Sequence, residues 1–522
     1  MKKHLRKLFE RADAVFDGAF PPGANPMLQL GAMGWFFYWI VIASGIYLYI
    51  FYDTGVTEAY ESVEYLTHTQ WYAGGIMRSF HRYASDALVL VVLLHLLREF
   101  VMDRLHGPRA FTWIVGVAVL GMLYASGITG YWIVWDKLAQ YIAIATSEWL
   151  DTLPLFAKSV ARNFLHDSTL SGRFFTLFVF IHIAVPLIML LFMWIHIQRI
   201  TSPRVNPPRG LATGTLAMLL ALSIAFPAES QGPAVLSEVP AEIRLDWFYM
   251  FFYPLLDRYA GLLLWAAVFA LTLVLFAMPW LSRFKQAAIA RVDLDNCNGC
   301  GRCVQDCPYN AVNLQPRTDK LPYPQEAVVN PDLCTACGIC MGACPTATPF
   351  RRRSAIIPGI ELPDLPAGLL KDKITGAAGK LAGNDRVILF GCEYGPDVTS
   401  LPGRNIASLT IPCAGMLPPS FLDFILSRGI ADGVFLTGCR EGGCFQRFGI
   451  DWTEQRIARL RDPYLRDRVP AERIGRCWAG VTGKTALAGK LRSFQEKLKG
   501  LENGLPAGSG ENGRNGTLKC AN

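Results

Sequence analysis

Between Pro26 and Tyr52 the chain carries no charged residue. A bilayer core needs about 20 consecutive apolar residues, so this stretch suffices to cross one. Further spanning candidates are residues 78–101, 111–135, 174–198, 210–228 and 259–281. Backbone polar groups in lipid must be satisfied internally, which leaves helices as the folded form of such segments. A six-helix transmembrane bundle is therefore expected for the first half. The second candidate is the least apolar, because it contains His81, Arg82, Asp86 and His95. Ionisable residues are expensive inside a membrane, and this makes them functional candidates.

Only 18% of the 522 residues are charged, against about 25% in an ordinary soluble domain. One soluble protein, a disordered chain and a disulfide-stapled mini-protein are all excluded. The connection from Asp53 to Met77 has four acids and no Lys or Arg, and the next carries Arg98, Arg104 and Arg109. Arg199, Arg204 and Arg209 follow the fourth span, and Glu229, Glu238, Glu242 and Asp246 follow the fifth. Basic loops lie inside, so both termini are expected in the cytoplasm of a multi-pass inner-membrane protein. The same loops account for the net charge of +8 without a nucleic-acid partner. Pro21 to Asn25 separate the basic N-terminus from any long apolar run, so no cleaved signal peptide is expected.

All eight histidines precede residue 197, and all fourteen cysteines follow residue 296. His81 and His95 share one span, and His182 and His196 share another, each pair 14 residues apart. Fourteen residues make close to four helical turns, about 21 Å along the axis, so each pair projects from one face. His81 is expected opposite His182 near the outer side, and His95 opposite His196 near the inner side. Two stacked bis-histidine sites are what two haems b need for electron transfer across the membrane. The same interval recurs as Gly31/Gly45 and Gly116/Gly130 on the neighbouring spans. Glycine there lets a helix backbone approach a flat macrocycle.

The stretches Arg78–Arg98 (RSFHRYASDALVLVVLLHLLR) and Thr129–Asp136 (TGYWIVWD) resemble the cytochrome b family of bc-type quinol-oxidising complexes. The resemblance covers roughly residues 20–281 and implies haem ligation by the four histidines. Arg78 and Arg98, each three residues from a ligand, are candidates to pair with haem propionates. Leu245–Tyr249 (LDWFY) stands where that family has a Pro-Glu-Trp-Tyr motif in its outer quinol site. Asp246 replaces the glutamate proposed to accept a quinol proton, which makes it the candidate catalytic residue. No cysteine precedes residue 297, so a thioether-linked haem is not expected.

Cys297, Cys300, Cys303 and Cys307–Pro308 form one C-x2-C-x2-C-x3-C-P run, and Cys334, Cys337, Cys340 and Cys344–Pro345 form a second. In two-cluster ferredoxins the fourth Cys of each run ligates the other cluster. One [4Fe–4S] cluster is thus expected on Cys297, Cys300, Cys303 and Cys344, and another on Cys334, Cys337, Cys340 and Cys307. Such thiolates need a reducing compartment, in agreement with a cytoplasmic C-terminus.

From Arg386 the pattern becomes α/β. RVILFG (386–391) and GVFLT (433–437) read as buried strands, with helices after Pro419 and near Trp452–Leu460. Cys392, Cys413 in IPCAG, and Cys439 and Cys444 in GCREGGC could converge on one centre. This region is similar to the delta subunit of methyl-viologen-reducing hydrogenase. That resemblance implies a [2Fe–2S] cluster and a partner like the flavoprotein component of heterodisulfide reductase. Phe445 follows Cys444 where that family tends to have His.

The expected organisation is a dihaem cytochrome b domain over 1–285, an α+β dicluster ferredoxin domain over 286–350 and a linker over 351–385. An α/β iron–sulfur domain over 386–500 and a disordered tail over 501–522 complete it. Cys477 and Cys520 receive no role. The expected function is electron exchange between the quinone pool and a cytoplasmic flavoprotein, with a homodimer possible through the cytochrome b part. The alternatives are a quinol:cytochrome reductase core with a Rieske-like partner, and a redox-sensing membrane anchor.

Overall fold

A computed structural model describes residues 2–21, 23–154, 159, 170–281, 287–350, 355–401 and 403–502. Arg283, Arg351 to Arg353, Cys520 and the tail from Asn503 lie outside the described residues. The chain forms two compact units. One comprises Val15–Gln198 and the stretch from Pro203 through the last bundle helix. The other comprises the first fourteen residues, Arg199–Ser202 and the cysteine-bearing remainder.

In the first unit a helix occupies each of the six apolar stretches. These are α1 (Leu30–Ile50), α2 (Ile76–Val101), α3 (Ala110–Trp132), α5 (Gly172–Gln198), α6 (Arg209–Ala225) and α7 (Gly261–Leu281), with the amphipathic α4 (Lys137–Asp151) between α3 and α5. The segments Leu30–Ile50, Gly107–Trp132, Gly172–Gln198 and Gly261–Leu281 are long and apolar enough to cross a membrane. Helix α2 is diluted by its ionisable residues, and α6 has only 17 residues. Helix α1 packs along α2 and α3 along α5, around a core that includes Tyr38, Leu88, Trp135, Phe175 and Met250. Asp136 caps α4 by accepting from the Ala139 amide at 2.9 Å, and its other oxygen accepts from the Gln231 amide at 2.9 Å. It thereby ties the segment that leads to Asp246 onto the bundle.

In the second unit, β1 (Arg291–Val292) pairs antiparallel with β4 (Ile360–Glu361), and β2 (Val312–Pro316) pairs antiparallel with β3 (Gln325–Val329). Each cysteine run holds a short helix, Arg302–Asp306 or Ile339–Ala343. Each helix starts from a left-handed glycine, Gly301 at φ 74° or Gly338 at φ 75°, a conformation that glycine adopts without steric cost. Four parallel strands follow in the order β6-β5-β7-β8: β5 (Val387–Cys392), β6 (Ile406–Ile411), β7 (Gly433–Gly438) and β8 (Ile474–Trp478). Every residue of β5 and β7 is buried, as central parallel strands require.

The expected linker over 351–385 is folded where described. It contributes β4 and the helix Ala367–Ala378, whose Leu370 and Ile374 are buried four residues apart. The expected boundaries at 350 and 385 do not separate compact units, because one core runs from Ala290 through Met341 and Ile374 to Phe421 and Trp478. The first fourteen residues also belong here and not with the helical bundle: the Glu10 carboxylate accepts from the Thr482 amide at 3.0 Å, and its carbonyl accepts from Arg440 at 3.4 Å.

Candidate metal centres

The matched intervals of histidine and glycine become direct contacts. A Cβ added at Gly45 would lie 3.0 Å from His81 Cε1, and one at Gly130 only 2.8 Å from His182 Cε1. At Gly31 the neighbour is His95 Cε1 at 3.6 Å, and at Gly116 it is His196 Cε1 at 3.7 Å. The glycines thus make room for imidazoles, one glycine per histidine.

The rings of His81 and His182 have centroids 6.2 Å apart. Two imidazoles on opposite sides of one metal, with N–metal bonds of about 2.0–2.1 Å, have ring centres about 6 Å apart. Nδ1 of His81 bonds the Val41 carbonyl at 3.0 Å, and Nδ1 of His182 bonds the Ser126 carbonyl at 2.9 Å. Each carbonyl lies one turn before the facing glycine. A carbonyl accepts only, so Nδ1 carries the proton and Nε2 keeps its lone pair for a metal. Ser44 Oγ at 3.2 Å and Thr129 Oγ1 at 3.3 Å repeat the symmetry between the two sites. At the other level His95 lies within electrostatic reach of His196. His196 Nδ1 is buried without a hydrogen-bond partner. The Thr112 carbonyl, one turn before Gly116, lies toward it but outside hydrogen-bonding geometry. The donor set, tautomer and glycine clearance all fit a planar bis-histidine haem.

Arg78 is already engaged: it donates to Thr67 Oγ1 and to Ser230 Oγ at 2.8 Å, and lies 3.6 Å from Glu64. A propionate there would share its guanidinium with Glu64. Arg98 is buried in the last turn of α2. Asp246 is 5% exposed. It accepts from Tyr131 Oη, from Arg82 at 3.1 Å and from the Phe248 amide at 2.7 Å. Arg82 also bonds Asp86 at 3.2 Å, and Asp86 Oδ1 is buried without a partner. Tyr249 reaches Ser85 at 2.6 Å through space that Gly127 leaves open. Arg82 and Asp86 stood out in the sequence as charges within a span. Tyr131 and Ser85 gave no signal of their own.

Eight thiols of the second unit fall into the two interlocked groups. Burial first, and then the neighbouring Cys344, Cys300 and Cys297, push the Cys303 thiol up to about 12. Burial likewise pushes Cys337 up to about 12, with Cys307 and Cys334 adding to it. Such thiols ligate only when a cation displaces the proton. Cys307, Cys334, Cys337 and Cys340 line one cavity. Among the described residues no three His, Cys, Asp or Glu side chains converge as a single-ion site.

In the parallel sheet, β5 and β7 end side by side where the strand order reverses, and ligands of open α/β sheets bind beyond the carboxyl ends of strands at such a point. Cys392 ends β5, Cys439 follows β7, and Cys413 follows β6 by two residues. Cys392 Sγ and Cys439 Sγ are 3.9 Å apart. Cys392 and Cys444 each reach both Cys413 and Cys439. Phe445 stacks on Tyr394 with centroids 3.5 Å apart, and its backbone amide donates to Cys439 Sγ at 3.4 Å. Cys477 is buried on β8.

Apolar helices with paired histidines, followed by interlocked thiol groups, define the class: a membrane protein that passes electrons between bound cofactors. Comparison with known proteins narrows it. Residues 15–202 match the family model for cytochrome b/b6/petB, 296–348 the 4Fe-4S dicluster domain, and 398–502 the methyl-viologen-reducing hydrogenase delta subunit. Cytochrome b6 of Porphyra purpurea is 30% identical over 203 residues, which cover 38% of this chain and 92% of the relative. Cytochrome b6 of Gracilaria tenuistipitata var. liui is 28% identical over 202 residues, with the same coverage. A solved chain of a hyperthermophilic respiratory Complex III aligns with TM-score 0.41 and 20% identity, over 53% of this chain and 81% of that one. The chain belongs to the cytochrome b/b6 family, extended by a dicluster ferredoxin domain and a hydrogenase-delta-like domain. It is a membrane electron-transfer subunit that uses haem b and [4Fe–4S] chemistry.

Proposed function

We propose that this chain exchanges electrons between a membrane quinone and a cytoplasmic flavoprotein, with two haems b, two [4Fe–4S] clusters and one [2Fe–2S] cluster as carriers. The observation that carries the reading is the His81–His182 pair: centroids 6.2 Å apart, both Nδ1 atoms bonded to carbonyls, and a glycine facing each ring. His81 and His182 hold one haem, and His95 and His196 the other. Haem supplies reversible one-electron chemistry, and the chain fixes ligand identity and ring orientation. In this reading the chain spans the inner membrane six times, with the termini and the thiol-bearing unit on the cytoplasmic side, as the basic loops favour. A homodimer through the bundle is compatible with this arrangement.

At the quinone site Asp246 takes the proton of a quinol hydroxyl that comes within hydrogen-bond reach. Tyr131 and Arg82 orient its carboxylate, and Asp86 on the same guanidinium offers a second acceptor for the second proton. A haem held by these histidines would supply the one-electron acceptor that quinol oxidation requires. No Gly-rich dinucleotide fingerprint follows a strand in the α/β part, so exchange with NAD(P)H needs the flavoprotein. His182→Ala tests the reading: one haem per chain should be lost while iron bound to the clusters is retained. Retention of both haems would overturn it.

A further inference from the structure

The three thiol groups are not equally placed. Gly342 lies between Cys340 and Cys344, and a Cβ there would collide with the Gly415 carbonyl. A Cβ on Gly415 would meet Gly449 Cα at 3.0 Å and Ile339 Cγ1 at 3.1 Å, and one on Gly449 would collide with Cys413 Sγ. Three glycines therefore press the second cysteine run backbone-to-backbone against the loop that carries Cys413. Cys337, Ile339 and Cys413 form one buried cluster with Trp452 packed on it, so at most Ile339 separates the two thiols.

The polar cross-links fall on the same seam. Arg456 is 1% exposed, donates to the Gly415 carbonyl at 2.8 Å and pairs with Asp306, the residue before Cys307. Arg461 donates to the other Asp306 oxygen at 2.7 Å, and Trp452 Nε1 donates to the Asp306 carbonyl at 3.2 Å. Gln446, two residues after Cys444, accepts from Tyr309 at 2.8 Å and from Thr335 at 3.4 Å. By contrast, Cys300 of the other ferredoxin-type group is exposed to solvent.

We propose that the third thiol site exchanges electrons with the Cys307–Cys334–Cys337–Cys340 group alone, across the glycine seam. Arg456 acts as the positioning residue. The Cys297–Cys300–Cys303–Cys344 group then serves as a separate, solvent-facing port. In each transfer one electron leaves one centre, which is oxidised, and reduces the other; no bond or proton moves. This rests on the third site holding a redox cluster, as proposed above.

The test is electron paramagnetic resonance of the reduced full-length protein in detergent, with iron counted separately. Cys334→Ser, which disables the second group, should lower the microwave power that saturates the third-site signal several-fold. Cys300→Ser should leave that power unchanged. The reverse pattern would overturn the relay order while leaving the third cluster standing. A third-site signal and iron count unaffected by Cys413→Ser would instead overturn the cluster itself, and the relay with it. Arg456→Met guards against misfolding of cysteine variants. It leaves Asp306 less compensated and should lower the reduction potential of the second group more than that of the first, and Arg456→Lys should restore it. Equal shifts in both groups, or none, would also refute the assignment.

Discussion

Replacing Gly130 with Ala tests how the bundle holds its histidines. The new methyl would lie 2.8 Å from His182 Cε1, about 0.6 Å short of ordinary contact at 3.4 Å. The ring cannot swing aside freely, because Nδ1 is bonded to Ser126 at 2.9 Å on the same helix that carries the intruding methyl. A retreat of that size stretches the bond to about 3.5 Å, beyond useful hydrogen-bond length. A buried N–H left unpaired costs about 1–3 kcal/mol, or roughly 5- to 150-fold in haem affinity at about 1.4 kcal/mol per factor of ten. Gly116→Ala is the internal control: its methyl sits 3.7 Å from His196 Cε1, in ordinary contact. Haem per chain from pyridine haemochrome spectra, together with a redox titration of the α-band, should show loss or a shifted potential for one haem in Gly130→Ala and wild-type behaviour in Gly116→Ala. Equal losses in both, or full retention in Gly130→Ala, would refute the argument from ring clearance.

Asp246→Asn should slow quinol-driven haem reduction in stopped-flow measurements while haem content is spared; an unchanged rate would make Asp246 a helix cap and nothing more. Arg456→Met removes one of the two cationic partners of buried Asp306 and leaves Arg461 in place, a loss of about 1.5–3 kcal/mol. Hydrogen exchange on the full chain should report it around Asp306 and Gly415, and unaltered protection there would count against the seam. Cys303 and Cys337 titrate near 12 in the fold against an ordinary 9.0. A raised thiol pKa stabilises the fold below 9.0, and that stability is lost as the pH rises toward 12, so iron-free protein should unfold more easily over this range. Reconstitution with iron and sulfide should become tighter with rising pH, because loading displaces the same protons. Melting temperature and bound iron measured against pH check both signs.

The four-turn interval of histidines and glycines was legible because a helix converts sequence spacing directly into facing. The cysteine runs were legible for a related reason, since cluster ligation dictates short fixed spacings. The carbonyls of Val41 and Ser126 were not, because every residue has one and only the fold selects two. Asp246 was found through its motif, yet its partner Arg82 sits 164 positions earlier, and pairing across that separation has no local signature. The strand Ile406–Ile411 was missed because at its edge position only Ala407 and Ile411 are buried, and Ser408 and Thr410 break the apolar run. Arg476 similarly interrupts β8, where Glu454 receives it at 2.6 Å. In Ala367–Ala378 the glycines and alanines read as a connection, and only Leu370 and Ile374 marked a buried face.

The docking of Glu10 on Thr482 and Arg440 has a consequence for how the chain is made. Arg440 lies inside the GCREGGC loop, 430 positions away from the residue whose carbonyl it meets. Synthesis runs from the N-terminus, so the helix Lys2–Ala19, which carries Glu10, emerges long before its docking surface exists and must wait through insertion of the whole bundle. The loop around the third thiol site gains its N-terminal support only once β8 and Thr482 have left the ribosome. An affinity tag placed ahead of Lys2 would sit beside that late closure, and a tag after residue 502 would avoid it.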